Sequence, residues 1–151
     1  MSPTDRIASI LNSKGKRLWS VPPEATVFEA IQLMSEVEIG ALPVISSDGK
    51  LIGMLSERDY ARKVILQGRS SKETAVSEIM TSPAITADPA HSVEYCMQVM
   101  TRDRVRHLPV VVNEDEVIGI ISIGDLVNWI ISAHEHSIEQ LKSYIAGAYP
   151  A

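Results

Sequence analysis

Apolar residues at helical spacing, Val27, Ala30, Ile31, Met34 and Val37, follow the opening Thr26-Val27-Phe28-Glu29. A Thr three residues before a Glu is a capping box, in which each side chain accepts a hydrogen bond from the other residue's backbone amide, so a helix opens at Thr26. The period then changes. Ile39 to Ile45 is a largely apolar run with β-branched residues and an internal Pro43, which predicts a strand with an irregular start. Ser46-Ser47-Asp48-Gly49 is a tight turn with Gly where φ must be positive, and Lys50 to Leu55 is the returning strand. Ser56-Glu57-Arg58-Asp59 opens a closing helix that runs to about Gln67 and stops at Gly68.

The pattern recurs. A shift that lays Ala41-Leu42-Pro43-Val44 on His107-Leu108-Pro109-Val110 also lays Leu51-Ile52-Gly53-Met54-Leu55-Ser56 on Val117-Ile118-Gly119-Ile120-Ile121-Ser122, and Asp59 on Asp125. The register holds without a gap from Trp19 and Ile85 to Ile65 and Ile131, and Val27, Ala30 and Met34 meet Val93, Cys96 and Met100. Ser92 keeps the cap position, although Tyr95 replaces the Glu. A duplicated unit of this length is one supersecondary structure whose apolar face its twin covers. Each copy reads short strand, helix, strand, turn, strand, helix. The expected fold is therefore mixed α/β (α+β): two β-α-β-β-α repeats packed with pseudo-two-fold symmetry, preceded by a helix. Residues 1–16 form the N-terminal segment, with an amphipathic helix from Asp5 to about Ser13, and 17–67 form the first repeat. Residues 68–78 are a linker, polar from Gly68 to Thr74; 79–132 form the second repeat, and 133–151 extend its last helix.

With 151 residues, 45% of them hydrophobic, the chain can build one compact core or two small units sharing one. A formal net charge of -5 argues against a general nucleic-acid binder, which needs excess Lys and Arg, so any bound anion must sit in a local basic pocket. Cys96 is the single cysteine, which excludes an intrachain disulfide and a thiolate metal cluster and fits a reducing compartment. The longest apolar stretch, Val117 to Ile131, holds Asp125, Asn128 and two Gly residues and makes a poor membrane span. Met1-Ser2-Pro3-Thr4-Asp5-Arg6 lacks the basic-then-apolar pattern of a secretory signal, which places the protein in the cytoplasm.

A helix, Leu-Pro-Val, a hairpin, a Gly-x-x-Ser strand end and a helix-opening Asp, in two copies, closely resemble the paired cystathionine-β-synthase-type (CBS) domain, or Bateman module, over about residues 17 to 132. On spacing alone, Ser-x-x-Asp is a capping box, and caps are commoner than ligand sites. The resemblance turns the reading toward a ligand. It implies a regulatory adenine nucleotide (AMP, ADP, ATP or NAD(H)) bound between the repeats, with the Asp accepting from the ribose hydroxyls and the Ser and helix-start amides facing phosphate. In such modules each cleft joins the Asp of one repeat to the segment before Leu-Pro-Val of the other. Carried over, Asp59, Ser56, Arg58 and Met54 share a cleft with Thr86, Arg106 and His107, and Asp125, Ser122 and Ile120 share one with Ser20, Gly40 and Ala41. The first cleft gains the cations, and Arg58 and Arg106 there suit a diphosphate clamp. Met54 and Ile120 either line an apolar slot for adenine, pack in the core, or do both. Arg102, Arg104 and Arg106 have a plainer reading as a solvated helix end and strand edge, partly neutralised by Asp103.

His134-Glu135-His136 is not a metal pattern, because residues two apart on a helix face different sides. Cys96 aligns with Ala30 and reads as a small core residue. The sequence holds no dinucleotide, Walker, nucleophile-elbow or zinc-protease motif, so the reading is a non-enzymatic module without metal. Two alternatives stand beside it: a ligand-free protein-interaction and dimerisation module, and an enzyme using a cleft Asp as base. Trp129, Ile130 and Ile131, with Ile138, Leu141, Tyr144 and Ile145 beyond them, give more apolar surface than two small repeats bury. A homodimer is expected, acting on an unidentified regulated protein.

Overall fold

The computed structural model describes residues 2–15 and 17–148; Met1, Lys16 and residues 149–151, at the edges of the expected N- and C-terminal segments, lie outside the described residues. In chain order the elements are α1 (Ile7–Lys14), α2 (Val27–Val37), β1 (Ala41–Ile45), β2 (Leu51–Ser56), α3 (Glu57–Tyr60) continued by a π-helical turn (Ala61–Ile65), α4 (Val76–Ile79), α5 (Val93–Asp103), β3 (His107–Val112), β4 (Glu116–Ser122) and α6 (Ile123–Ala148). The chain divides into two compact units. One takes the N-terminal segment, Ala87–Leu108 and the chain from Ile120 onward, and the other takes Arg17–Thr86 with Pro109–Gly119.

The first amides of a helix must find acceptors outside it. At α2 the Val27 and Phe28 amides donate to the carbonyls of Thr74 and Ser71 at 2.8 and 2.9 Å, and the Glu29 amide donates to the Thr26 hydroxyl at 3.1 Å. The expected capping box is closed by Glu29. In the other unit the Val93 and Glu94 amides donate to the carbonyls of Asp5 and Pro3, both at 2.9 Å, and the Tyr95 amide donates to Ser92 at 3.0 Å. Each repeat helix is thus completed by a segment that precedes the opposite repeat in sequence: the linker covers α2, and the N-terminal segment covers α5. Antiparallel bridges Thr26–Ala75 and Arg6–Ser92 fix the two junctions.

α4 spans the expected boundary between the linker and the second repeat. Val76 and Ile79 of α4 are buried in the cluster formed by Val27, Ala30, Met34, Leu42, Val44, Leu55 and Val64. Burying such an aliphatic side chain contributes about 1.5–3 kcal/mol relative to leaving it exposed. In the first unit Ile7 and Ile10 of α1 are buried, as are Val93, Cys96, Val99, Met100, Leu108, Ile121 and Leu126.

β1 and β2 form an antiparallel hairpin in which Ala41 faces Ser56 and Val44 faces Gly53, with a register shift before Ile45. Gly49 in its turn has φ of 83°, as the turn requires. β3 and β4 form the second two-stranded sheet. The short strand expected before α2 shrinks to one parallel bridge, Val21 to Val44. Pro22 and Pro23 follow immediately and have no amide to extend a ladder. The closing helix of the first repeat, expected to run to about Gln67, passes from α-helical to π-helical geometry at Ala61 and ends at Ile65, followed by a turn to Gly68, whose φ is 67°.

Candidate functional site

Ser56 ends β2 and caps α3. Its amide donates to Asp59 Oδ2 at 2.9 Å, its hydroxyl donates to the same oxygen at 3.1 Å, and the Asp59 amide returns a bond to Ser56 Oγ at 3.1 Å. The plain capping reading is therefore correct for this pair. It leaves Oδ1 to other groups: Lys63 Nζ at 3.0 Å, one helical turn on, and the Thr81 hydroxyl at 3.3 Å. Lys63 also donates to the Ile79 carbonyl at 2.9 Å. Two donors on each oxygen use the acceptor capacity of the carboxylate. A ribose hydroxyl reaching Asp59 has to displace Lys63 or Thr81. Asp59 is nevertheless only 8% exposed, while the Lys63 side chain is 44% exposed and can swing away.

The second repeat repeats the cap. The Ser122 amide donates to Asp125 Oδ2 at 2.8 Å, and the Asp125 amide donates to Ser122 Oγ at 3.1 Å. Here the ammonium comes from α1: Lys14 Nζ lies 2.7 Å from Asp125 Oδ2 and donates to the Ile120 carbonyl at 2.9 Å. Each helix-opening Asp thus carries a lysine that also binds a backbone carbonyl. Lys63 was legible as an i, i+4 partner of Asp59. Thr81 and Lys14, far away in sequence, carried no such signal.

The strand backbone expected to meet adenine is also engaged. Met54 is buried, and its amide and carbonyl pair with Thr81 at 3.0 and 2.8 Å. Gly53 permits this crossing, because a Cβ there would lie 2.8 Å from Met80 Sδ and 2.9 Å from the Thr81 carbonyl oxygen. The first amides of α3 and α6 donate to the carbonyls of Gly40 and Arg106 at 3.0 and 2.8 Å. Gly40 and Ala41 therefore lie, within their own repeat, beside the helix start of Asp59, where Ala41 pairs with Ser56. The side chains of Arg58, Thr86, Arg106 and Ser20 are exposed, and Ile120 and His107 are half-buried. Arg102 pairs with Asp103 at 2.9 Å, in keeping with its plainer reading.

Cys96 is fully buried, and burial pushes its thiol up to about 11, far from a nucleophile's range. His134 and His136 are exposed on α6, and no group of three metal-binding side chains occurs among the described residues. An open groove of about 840 Å³ lies on the first unit, lined by Pro3, Thr4, Met97, Thr101 and Ile130 among others; it includes none of the expected ligand residues. No helix among the described residues is long and apolar enough to cross a membrane.

The family model described as CBS domain matches residues 13–65 and 76–132. The chain belongs to the CBS-domain family. The CBS domain-containing protein CBSX3, mitochondrial, of Arabidopsis thaliana is 40% identical over 95% of this chain and 73% of its own length. A solved CBS-domain protein from Burkholderia ambifaria is 46% identical, with a TM-score of 0.80 over 85% of this chain and 95% of that one. The CBS domain pair of protein MJ0100, solved with 5'-methylthioadenosine and S-adenosyl-L-methionine, is 25% identical, with a TM-score of 0.77 over 87% of this chain and 99% of that one. The tandem CBS module and its mixed α/β fold, expected from the duplicated motif, are thereby established.

Proposed function

We propose that this CBS pair is a non-catalytic regulatory module that binds an adenine nucleotide, AMP, ADP, ATP or NAD(H), with Asp59 and Asp125 accepting from ribose hydroxyls. The observation that carries the reading is the twice-built carboxylate, anchored through Oδ2 by its own helix cap and held by a lysine that can leave. A diol supplies hydroxyl donors in place of the ammonium, and the released ammonium finds a new partner in the ligand's phosphate. That exchange favours a ligand with both groups. The adenosine compounds bound to the MJ0100 pair support the ligand class. From the family pattern, Arg58, Arg106 and His107 are assigned to phosphate at Asp59, which makes that the tighter site. Binding shifts the module between conformations by as much as the ligand prefers one of them. The module acts as a homodimer on a further protein.

Mass spectrometry of small molecules released from natively purified protein identifies the ligand. Melting temperature should rise with the logarithm of concentration for AMP, ADP, ATP, NAD(H) or 5'-methylthioadenosine, with GTP as the control. If no adenosine compound moves it at millimolar concentration, the ligand-free interaction module takes over, a reading favoured by the exposed Ile131, Ile138, Leu141 and Ile145. Sedimentation reads the dimer directly.

A further inference from the structure

α6 outruns the repeat that it closes. From His134 to Ala146 every side chain is exposed, so this stretch is surrounded by solvent on all sides. A lone helix of about a dozen residues is marginal in water, and its stability comes from packing an apolar face. The stretch has such a face. Ile138, Leu141 and Ile145 are 42%, 58% and 49% exposed, and with His134, and with Ile131 (49% exposed) just before the stretch, they fall alternately three and four residues apart. That spacing is the seam of a two-stranded coiled coil, in which side chains of one helix fit between those of another.

Charge decides the direction. Glu135 and Lys142 both flank this seam on the same side. In a parallel pair their cross-helix neighbours are the partner's Ile130 and Ser137, and His134 meets the partner's His134. In an antiparallel pair Glu135 lies beside the partner's Lys142 and Lys142 beside the partner's Glu135, while Ile138 meets Leu141 and His134 meets Ile145. Flanking charge pairs of this kind set the orientation of coiled coils. We infer that the exposed half of α6 pairs antiparallel with the same helix of a second copy, in the register that places Ile138 against the partner's Leu141. This deepens the homodimer of the proposed function and is independent of its ligand.

Two full-length chains of different tag length, one carrying Ile138→Cys and the other Leu141→Cys, are co-expressed and oxidised. Both positions are exposed, so the fold tolerates them, and the native Cys96 is buried. The hybrid covalent dimer should form roughly tenfold faster than either like-with-like product, because a disulfide needs Cα atoms within about 4.4–6.8 Å. Predominance of like-with-like products overturns the antiparallel register. Absence of any covalent dimer, while the parent sediments as a dimer, removes this seam and leaves a dimer built elsewhere. A monomeric parent removes both.

Discussion

Lys14 at the end of α1 lies 2.7 Å from Asp125 while donating to the Ile120 carbonyl. Under the proposed function, a ribose hydroxyl reaching Asp125 has to compete with this ammonium for one carboxylate. Partly exposed ion pairs contribute about 0.2–1 kcal/mol, so Lys14→Ala should tighten adenosine, which has no phosphate to receive the released ammonium, at the Asp125 site by up to about fivefold. Calorimetric titration in an Asp59→Ala background isolates that site. Unchanged or weaker adenosine binding would show that Lys14 does not compete for Asp125.

Asp59→Ala removes both the proposed ribose acceptor and the box that caps α3. Binding should weaken by about 1.5–3 kcal/mol, the range for a hydrogen bond to a charged group. The free protein should lose about 1 kcal/mol of stability from the lost cap. Arg106→Ala should weaken phosphate-bearing ligands without the second effect, and Asp125→Ala should matter less to the tight site. Titration of each variant beside its urea denaturation separates ligand contact from cap. Unchanged affinity in Asp59→Ala, with binding abolished in Asp125→Ala, would move the principal site to the second repeat.

Gly53→Ala puts a methyl where the Met80 sulfur and the Thr81 carbonyl already lie. The sulfur can shift, but the carbonyl belongs to the backbone bridge with Met54. Overpacking of this kind costs about 1–3 kcal/mol, and urea denaturation should show it. A neutral result would mean that the Met80–Thr81 segment yields easily.

The Cys96 thiol, pushed by burial from an ordinary 9.0 to about 11, should react roughly a hundredfold more slowly with iodoacetamide at pH 8 than a free thiol does, from ionisation alone. The neutral thiol is favoured in the folded chain. Its contribution is full below pH 9 and is lost as pH rises toward 11. Cys96→Ala should therefore lose less stability than the parent across that window. Equal alkaline losses in the two proteins would show that Cys96 plays no part in them.

Periodicity and duplication made the repeat helices, hairpins and caps legible, because these depend on residues a few positions apart. Thr26 with Glu29, Ser56 with Asp59 and the turn at Gly49 are all of this kind. The shortened first strand was also written locally, in Pro22 and Pro23, but the strand pattern outweighed it. What could not be read were contacts between distant segments. The polar run Gly68 to Thr74 marked a linker, but nothing local showed that Val76 just after it and Ile79, expected in the second repeat, give cover to α2. The two Asp positions were visible; of the groups that hold them, only Lys63 lay within a helical turn.

The crossed covering of α2 and α5 also sets an order of assembly. The first repeat has its cover from a linker that leaves the ribosome directly after it, so its helix cap and hairpin can close early. α1 is synthesised first and must wait: Lys14 and Asp125 stand 111 positions apart, and α5 and β4 emerge late. Closing so long a loop is slow rather than strongly destabilising. Deleting the segment from Ser2 to Lys14 should therefore injure not the repeat beside it but the second one, whose α5 amides it receives.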